Sequence, residues 1–214
     1  MEISILYEDK HIVAINKNHG IPVIPGRGKD EKEPLIITVE KLISNKVFVV
    51  HRIDKETSGV VLFAKDPSAH RHLSMQFEKR EINKEYLSVV QGNPLCNQTI
   101  NSPIYQFGSG RMGVDKRGKP SLTEVVIEKQ FNGSCLLRAL PHTGRRHQIR
   151  VHLYSIGHPI LGDTVYGDNR PVGGVKRLML HAKELRFMHP DGTKMTISAP
   201  VNDAWKDALS QIDS

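Results

Sequence analysis

Short apolar runs separated by polar turns recur along the chain, and only a few stretches carry helical spacing. Ile3 to Tyr7 and His11 to Asn16 read as two strands joined by a polar Glu8-Asp9-Lys10 turn. Lys17 to Pro25 reads as a loop ending in Pro25-Gly26-Arg27-Gly28. Residues 34–44 place Ile36, Val39, Leu42 and Ile43 on one face and predict a short helix. Val47 to Val50 predicts a buried strand, His51 to Gly59 a polar connection, and Val60 to Ala64 a further strand. Pro67 followed by Leu73 and Phe77 predicts a helix from about Ser68 to Arg80. Tyr86 to Val90 is the next strand. Asn101 to Pro120, rich in Gly, Lys and Arg, reads as a mobile loop.

Strands are then expected at Thr123 to Glu128 and Cys135 to Leu140. Thr143 is placed to cap a helix whose apolar face is Ile149, His152, Leu153 and Ile156, closed by Gly157, with Arg146 and Arg150 on one face. Leu178 to Phe187 and Met195 to Ser198 predict the last strands. Strands outnumber helices and several neighbours have short connections. The expectation is an α+β fold with a mixed, largely antiparallel central sheet flanked by helices, in a single domain over residues 1–214.

Composition narrows the class. Hydrophobic residues make up 38% of the 214, enough for a globular core and too few for a membrane protein. No apolar run is long enough to span a bilayer. The start, Met1-Glu2-Ile3-Ser4, lacks signal-peptide character, so a cytoplasmic location is expected. Cys96 and Cys135 make neither a disulfide framework nor a zinc site and are expected as reduced, mostly buried thiols. The formal charge is +7, and Lys129 to Leu161 contains no Asp or Glu. That stretch suits a polyanion-facing surface and suits a solvated basic face equally well.

The candidate chemistry sits at His51-Arg52-Ile53-Asp54-Lys55-Glu56-Thr57-Ser58-Gly59, a polar loop between apolar strands. Such a loop exposes a carboxylate on a rigid scaffold. Spacing alone favours a plainer reading, a surface Asp54 paired with Arg52 or Lys55. A metal site is not expected despite 11 histidines, because His147 and His152 do not share a helix face and no Cys or Glu completes a set. A glycoside hydrolase would need a second carboxylate beside Asp54, and Glu56 is badly placed for it.

The whole pattern resembles the RluA-type family of RNA pseudouridine synthases. The signature His-Arg-Leu-Asp-x-x-Thr-Ser-Gly is matched at 51–59 with Ile53 for Leu. Thr143-Gly144-Arg145-Arg146-His147-Gln148-Ile149-Arg150-Val151-His152 matches a second signature, continued by Gly157 to Asp163 and Tyr166-Gly167. Lys84-Glu85-Tyr86, Leu180-His181-Ala182, Tyr7-Glu8-Asp9 and Asn16-Lys17 also fit, with Asn18 where the family usually has Pro. The likeness runs from about residue 5 to Trp205, so the extra N-terminal RNA-binding domain of many relatives is not expected. Pro25-Gly26-Arg27 and the segment Gly118 to Glu124 look most like small members acting on transfer RNA and large-subunit ribosomal RNA.

The resemblance implies an isomerase that converts specific uridines to pseudouridine in structured RNA. Asp54 is then the essential carboxylate, Tyr86 the active-site tyrosine, Arg150 the ion partner of Asp54, and Arg52 the side chain that fills the gap left by a flipped base. Arg145, Arg146 and His147 are expected to contact RNA, and Ile149 and Leu180 to line the uracil pocket. No cofactor or metal is expected, because the reaction moves no net electrons and needs no water. RNA is the expected partner, with no membrane and no obligate protein partner, so a monomer. The competing class is a non-catalytic RNA-binding module of the same fold.

Overall fold

The structure, a computed structural model, describes residues 3–26, 32–167 and 175–213. Its elements in chain order are β1 (Ser4–Glu8), β2 (Ile12–Lys17), α1 (Leu35–Ile43), β3 (Phe48–Val49), β4 (Ser58–Ala64) and α2 (Pro67–Lys79). Next come β5 (Asn83–Gln91), β6 (Gln98–Asn101), β7 (Ile104–Gln106), β8 (Met112–Val114), β9 (Leu122–Phe131) and β10 (Ser134–Pro141). The chain ends with α3 (Gln148–Ser155), β11 (Leu180–Met188), β12 (Lys194–Ser198) and α4 (Asp203–Asp213). The class is α+β, and every ladder described below is antiparallel. The chain packs as two compact units, Met1–Lys84 with Ala182–Pro200, and Glu85–His181 with Val201–Ser214. Strands β5 and β11 carry the chain from one unit to the other.

In the first unit β2 pairs with β1 on one edge and β4 on the other, and β3 also joins β4. Every residue of β4 is buried, so its apolar side chains face packed protein on both sides, which explains a continuous run instead of alternation. Helix α2 lays Ala69 and Leu73 into a core with Ile12, Ala14, Val60, Leu62 and Phe187. It starts where the Asp66 side chain accepts from the Ala69 N–H with Pro67 in the first turn, and it stops at Arg80, in the left-handed region. Its start is one residue earlier than spacing predicts, because Asp66 takes the cap.

The exit of the Asp54 loop into β4 depends on Gly59. Its φ is +112°, and a Cβ there would lie 2.1 Å from the Ala182 carbonyl oxygen of β11. Gly59→Ala is expected to destabilise the protein severely. The backbone strain alone is worth about 1–3 kcal/mol before the clash is counted. Urea unfolding measures it, and a midpoint equal to wild type would refute it.

In the second unit β10 pairs with β5 and β9, and β9 with β6. Val89, Val125, Leu137 and Ala139 from these strands pack with Ile149 and Leu153 of α3 and with Trp205, Ala208 and Ile212 of α4. Helix α4 was not predicted, although Trp205, Ala208, Leu209 and Ile212 carry the helical interval.

Four other expectations are corrected. Val47 to Val50 forms only the half-buried pair Phe48–Val49. The stretch 101–120 is no loose loop, since β7 and β8 form a hairpin and Ile104 exchanges backbone bonds with Lys119. Gly118 permits that approach, because a Cβ would meet the Ile104 carbonyl carbon at 2.4 Å. Helix α3 starts at Gln148 rather than at a Thr143 cap, which leaves Arg146 in the preceding turn and off the face of Arg150. Cys135 is buried as expected, but Cys96 is exposed. Arg27 and Gly28 of the first loop lie outside the described residues.

Candidate active site

Asp54 sits in the first unit on a short turn closed by the Thr57 N–H donating to the Asp54 carbonyl at 3.1 Å. Ile53 is buried and anchors the segment, Arg52 is exposed, and Asp54 is half-buried. Backbone groups supply most of the hold. The Lys55 carbonyl accepts from the Gly20 N–H at 2.8 Å and from Lys17 Nζ at 2.9 Å. The Lys17 ammonium, 1% exposed, also donates to the carbonyls of Asn18 and Ile21 at 3.0 and 2.8 Å. A buried ammonium is tolerable only when its donors are used, and here three carbonyls use them.

Lys17→Met is expected to leave these carbonyls under-satisfied, at about 1–3 kcal/mol for a buried polar group left unpaired. Melting temperature should fall, and kcat should fall more than KM rises, because the loop loses its tether. An unchanged kcat in the folded variant would contradict the tethering role.

His51 holds the other end of the loop. Its Nε2 accepts from the Leu62 N–H at 2.9 Å, and its ring stacks on Phe77 with centroids 4.7 Å apart. Burial, helped by the Lys84 charge, pushes its pKa down to about 3, so the imidazole is neutral and acts as a backbone acceptor. Burial and the Arg80 charge likewise push Lys84 down to about 8. Neither His51 nor Lys17 was singled out by chemistry in the sequence. A histidine beside a carboxylate gives no sign that its partner is a strand amide.

The second unit holds the remaining candidates. Tyr86 lies on β5 opposite Ala139 of β10 and packs against the core that contains Ile149 and Leu180. The two expected pocket residues are thus buried together with Tyr86 at their edge. The turn before α3 is built around Gln148. Its Oε1 accepts from Thr143 Oγ1 at 2.6 Å and from the Arg145 N–H at 3.0 Å, and its Nε2 donates to the Leu122 carbonyl at 3.0 Å. His147 closes the turn in the left-handed region, at φ +56°.

Arg150, 4% exposed, grips Asp163 with Nε to Oδ2 and Nη2 to Oδ1, both at 2.7 Å. Burial alone would raise the Asp163 carboxyl. Hydrogen bonds and charge from Arg150, with the Tyr166 and Val165 N–H groups, outweigh burial and hold it below the ordinary carboxylate value. This bidentate partner was not foreseen, because nothing in the spacing of positions 150 and 163 marks it.

The acid-free stretch is less basic in space than in sequence. Arg138 lies 2.7 Å from Glu128, His142 lies 2.8 Å from Glu124, and Arg150 is paired and buried. Arg150 therefore does not belong to a phosphate-facing row with Arg145 and Arg146. Those two have no carboxylate partner among the described residues, and both lie in the turn before α3. His152 is buried between Thr123 Oγ1 and the Ser102 carbonyl, both at 2.9 Å, which makes it structural. Among the described residues no group of three or more His, Cys, Asp or Glu is arranged to hold a metal ion.

The family model for RNA pseudouridylate synthase matches residues 11–155. The chain belongs to that family. This RNA pseudouridine synthase is an isomerase, and RNA is its substrate. Ribosomal large subunit pseudouridine synthase C of Salmonella typhimurium is 39% identical over 218 residues, 96% of this chain and 68% of that protein. The tRNA pseudouridine synthase C of Pasteurella multocida is 35% identical over 236 residues, 100% of this chain and 97% of that protein. Among solved structures, human RNA pseudouridylate synthase domain containing 1 superposes with a TM-score of 0.82 at 25% identity, covering 97% of this chain and 87% of that one. No helix is long and apolar enough to cross a membrane among the described residues.

Proposed function

We propose that this synthase modifies uridines in large-subunit ribosomal RNA or transfer RNA, with Asp54 as the reacting carboxylate. The observation that carries the reading is the family signature folded as a turn that presents Asp54, fixed by the Lys17, Gly20 and His51 contacts. The named targets of the relatives support the RNA class. We take residues 1–214 as one catalytic domain, since the family match runs across the boundary between the two units. Monomeric action in the cytoplasm belongs to the same proposal.

The reaction breaks the bond from ribose C1′ to uracil N1, turns the base and joins C1′ to C5. The C5 hydrogen leaves as a proton and N1 gains one, so atoms and electrons balance without a cofactor. An ionised carboxylate serves as nucleophile towards the sugar or the ring, or stabilises charge on the sugar. A stacked uridine is beyond its reach, so the nucleotide must be extruded at a cost of a few kcal/mol, offset by other RNA contacts. In this reading Arg52 fills the vacated space, Arg145, Arg146 and His147 bind RNA, and Ile149 and Leu180 line the base pocket. Tyr86 stacks on the uracil and its hydroxyl serves proton transfer. Arg150 acts as the ion partner of Asp54 in addition to its bond with Asp163. A non-catalytic RNA-binding module would leave the tethered carboxylate without a purpose.

Transcripts of large-subunit ribosomal RNA and of transfer RNA, labelled at uracil C5, test the proposal. Release of the C5 label from one class assigns the substrate. Release from neither overturns the reading.

A further inference from the structure

Tyr166 has no part in the reaction outlined above, yet it is 1% exposed and ties three functional segments together. Its ring packs with Ile104 and Met112 of the β7–β8 hairpin and with Val151 of α3. The ring also lies 5.2 Å from the Arg150 guanidinium and 5.3 Å from that of Arg111. Its hydroxyl oxygen accepts from the Met112 N–H at 3.2 Å and is 2.8 Å from His147 Nδ1.

A proton count decides the direction of the second bond. A phenol carries one hydrogen, and the Met112 amide already donates to its oxygen. If His147 Nδ1 also donated, the phenol hydrogen would have no acceptor among the described residues. A buried donor left unpaired costs more than the alternative tautomer. Tyr166 therefore donates to Nδ1, and the proton of the neutral imidazole sits on Nε2.

We propose that Tyr166 is a positioning residue that fixes His147 as an Nε2–H donor for an RNA phosphate and locks the β7–β8 hairpin to the same turn. The inference rests on the RNA-modifying reading. His147 holds a left-handed backbone that non-glycine residues adopt only when surrounding bonds over-determine it, and the Tyr166 bond is one of these. Arg145 and Arg146, which have no carboxylate partner among the described residues, directly precede it in the chain. A phosphate, which is read without regard to base identity, fits this donor set. Arg111, held over Tyr154 at 5.8 Å as well as Tyr166, places another cation on the locked hairpin.

Nitrogen-15 spectroscopy of the neutral His147 ring is expected to give protonated Nε2 and bare Nδ1 in the wild type, and a tautomer mixture in Tyr166→Phe. Tyr166→Phe is expected to raise KM for an RNA transcript about three- to tenfold, the worth of one hydrogen bond, and to raise it more than it lowers kcat. In a His147→Gln background, where the amide donates whatever Tyr166 does, the same substitution should have little further effect on KM. A protonated Nδ1 in the wild type, or fully additive effects in the double variant, overturns the proposal. If the wild type converts no uridine, the functional reading fails instead, and the tautomer measurement still decides the role of Tyr166.

Discussion

Asp54→Asn is expected to reduce pseudouridine formation by about 10³-fold or more while RNA binding is retained. Asparagine has nearly the same shape and keeps the backbone carbonyl that accepts from Thr57. The tether to Lys17 and Gly20 runs through the carbonyl of Lys55, so the exchange does not touch it. What disappears is the negative charge and its nucleophilicity. Removing a carboxylate from a surface that meets phosphates should, if anything, tighten binding. Release of label from uracil C5 and gel-shift affinity on the same transcript measure the two effects separately. Turnover at the wild-type rate would remove Asp54 from the mechanism.

Arg150→Ala is expected to cost about 3–5 kcal/mol of stability, because it leaves a buried carboxylate without its counter-charge. Asp163 is 0% exposed at its side chain, and among the described residues only the Val165 and Tyr166 N–H groups would remain to it. The double replacement Arg150→Met with Asp163→Asn should recover most of that loss, since it removes both buried charges while the asparagine Oδ1 still accepts from the Val165 and Tyr166 N–H groups. It should not recover turnover if Arg150 also serves the reaction. Urea unfolding together with turnover separates the two roles, and full activity in the double variant would confine Arg150 to folding.

The same pair sets an acid limit. The Asp163 pKa is depressed in the folded state, so its contribution to stability is complete above the unfolded value of about 4 and is lost as pH falls through the folded value. The acid limb of the stability profile should therefore shrink in the uncharged double variant.

The strand–helix pattern of the first unit was legible because its signals are local. An unbroken apolar run marks β4, and Pro67 ahead of Leu73 and Phe77 marks α2. The candidate loop was legible as a signature, but its mechanics were not. The partners of Lys17, His51 and Arg150 are backbone groups or side chains brought close by folding. The helix expected from Thr143 failed for a related reason, because Gln148 uses its whole amide to hold the turn and displaces the start of α3. The segment 101–120 looked like a loop because glycine and charge mark turns and hairpins alike. Only the pairing of Ile104 with Lys119 separates them.

The tether on the Asp54 turn grips main chain at Lys55, leaves the Lys55 side chain out of its construction, and gains from Glu56 only a long, solvent-exposed pairing with His19 at 4.0 Å. Evolution can therefore rewrite those two letters without moving the acid between them and the buried isoleucine. That freedom gives a physical meaning to the two unspecified places inside an otherwise strict motif.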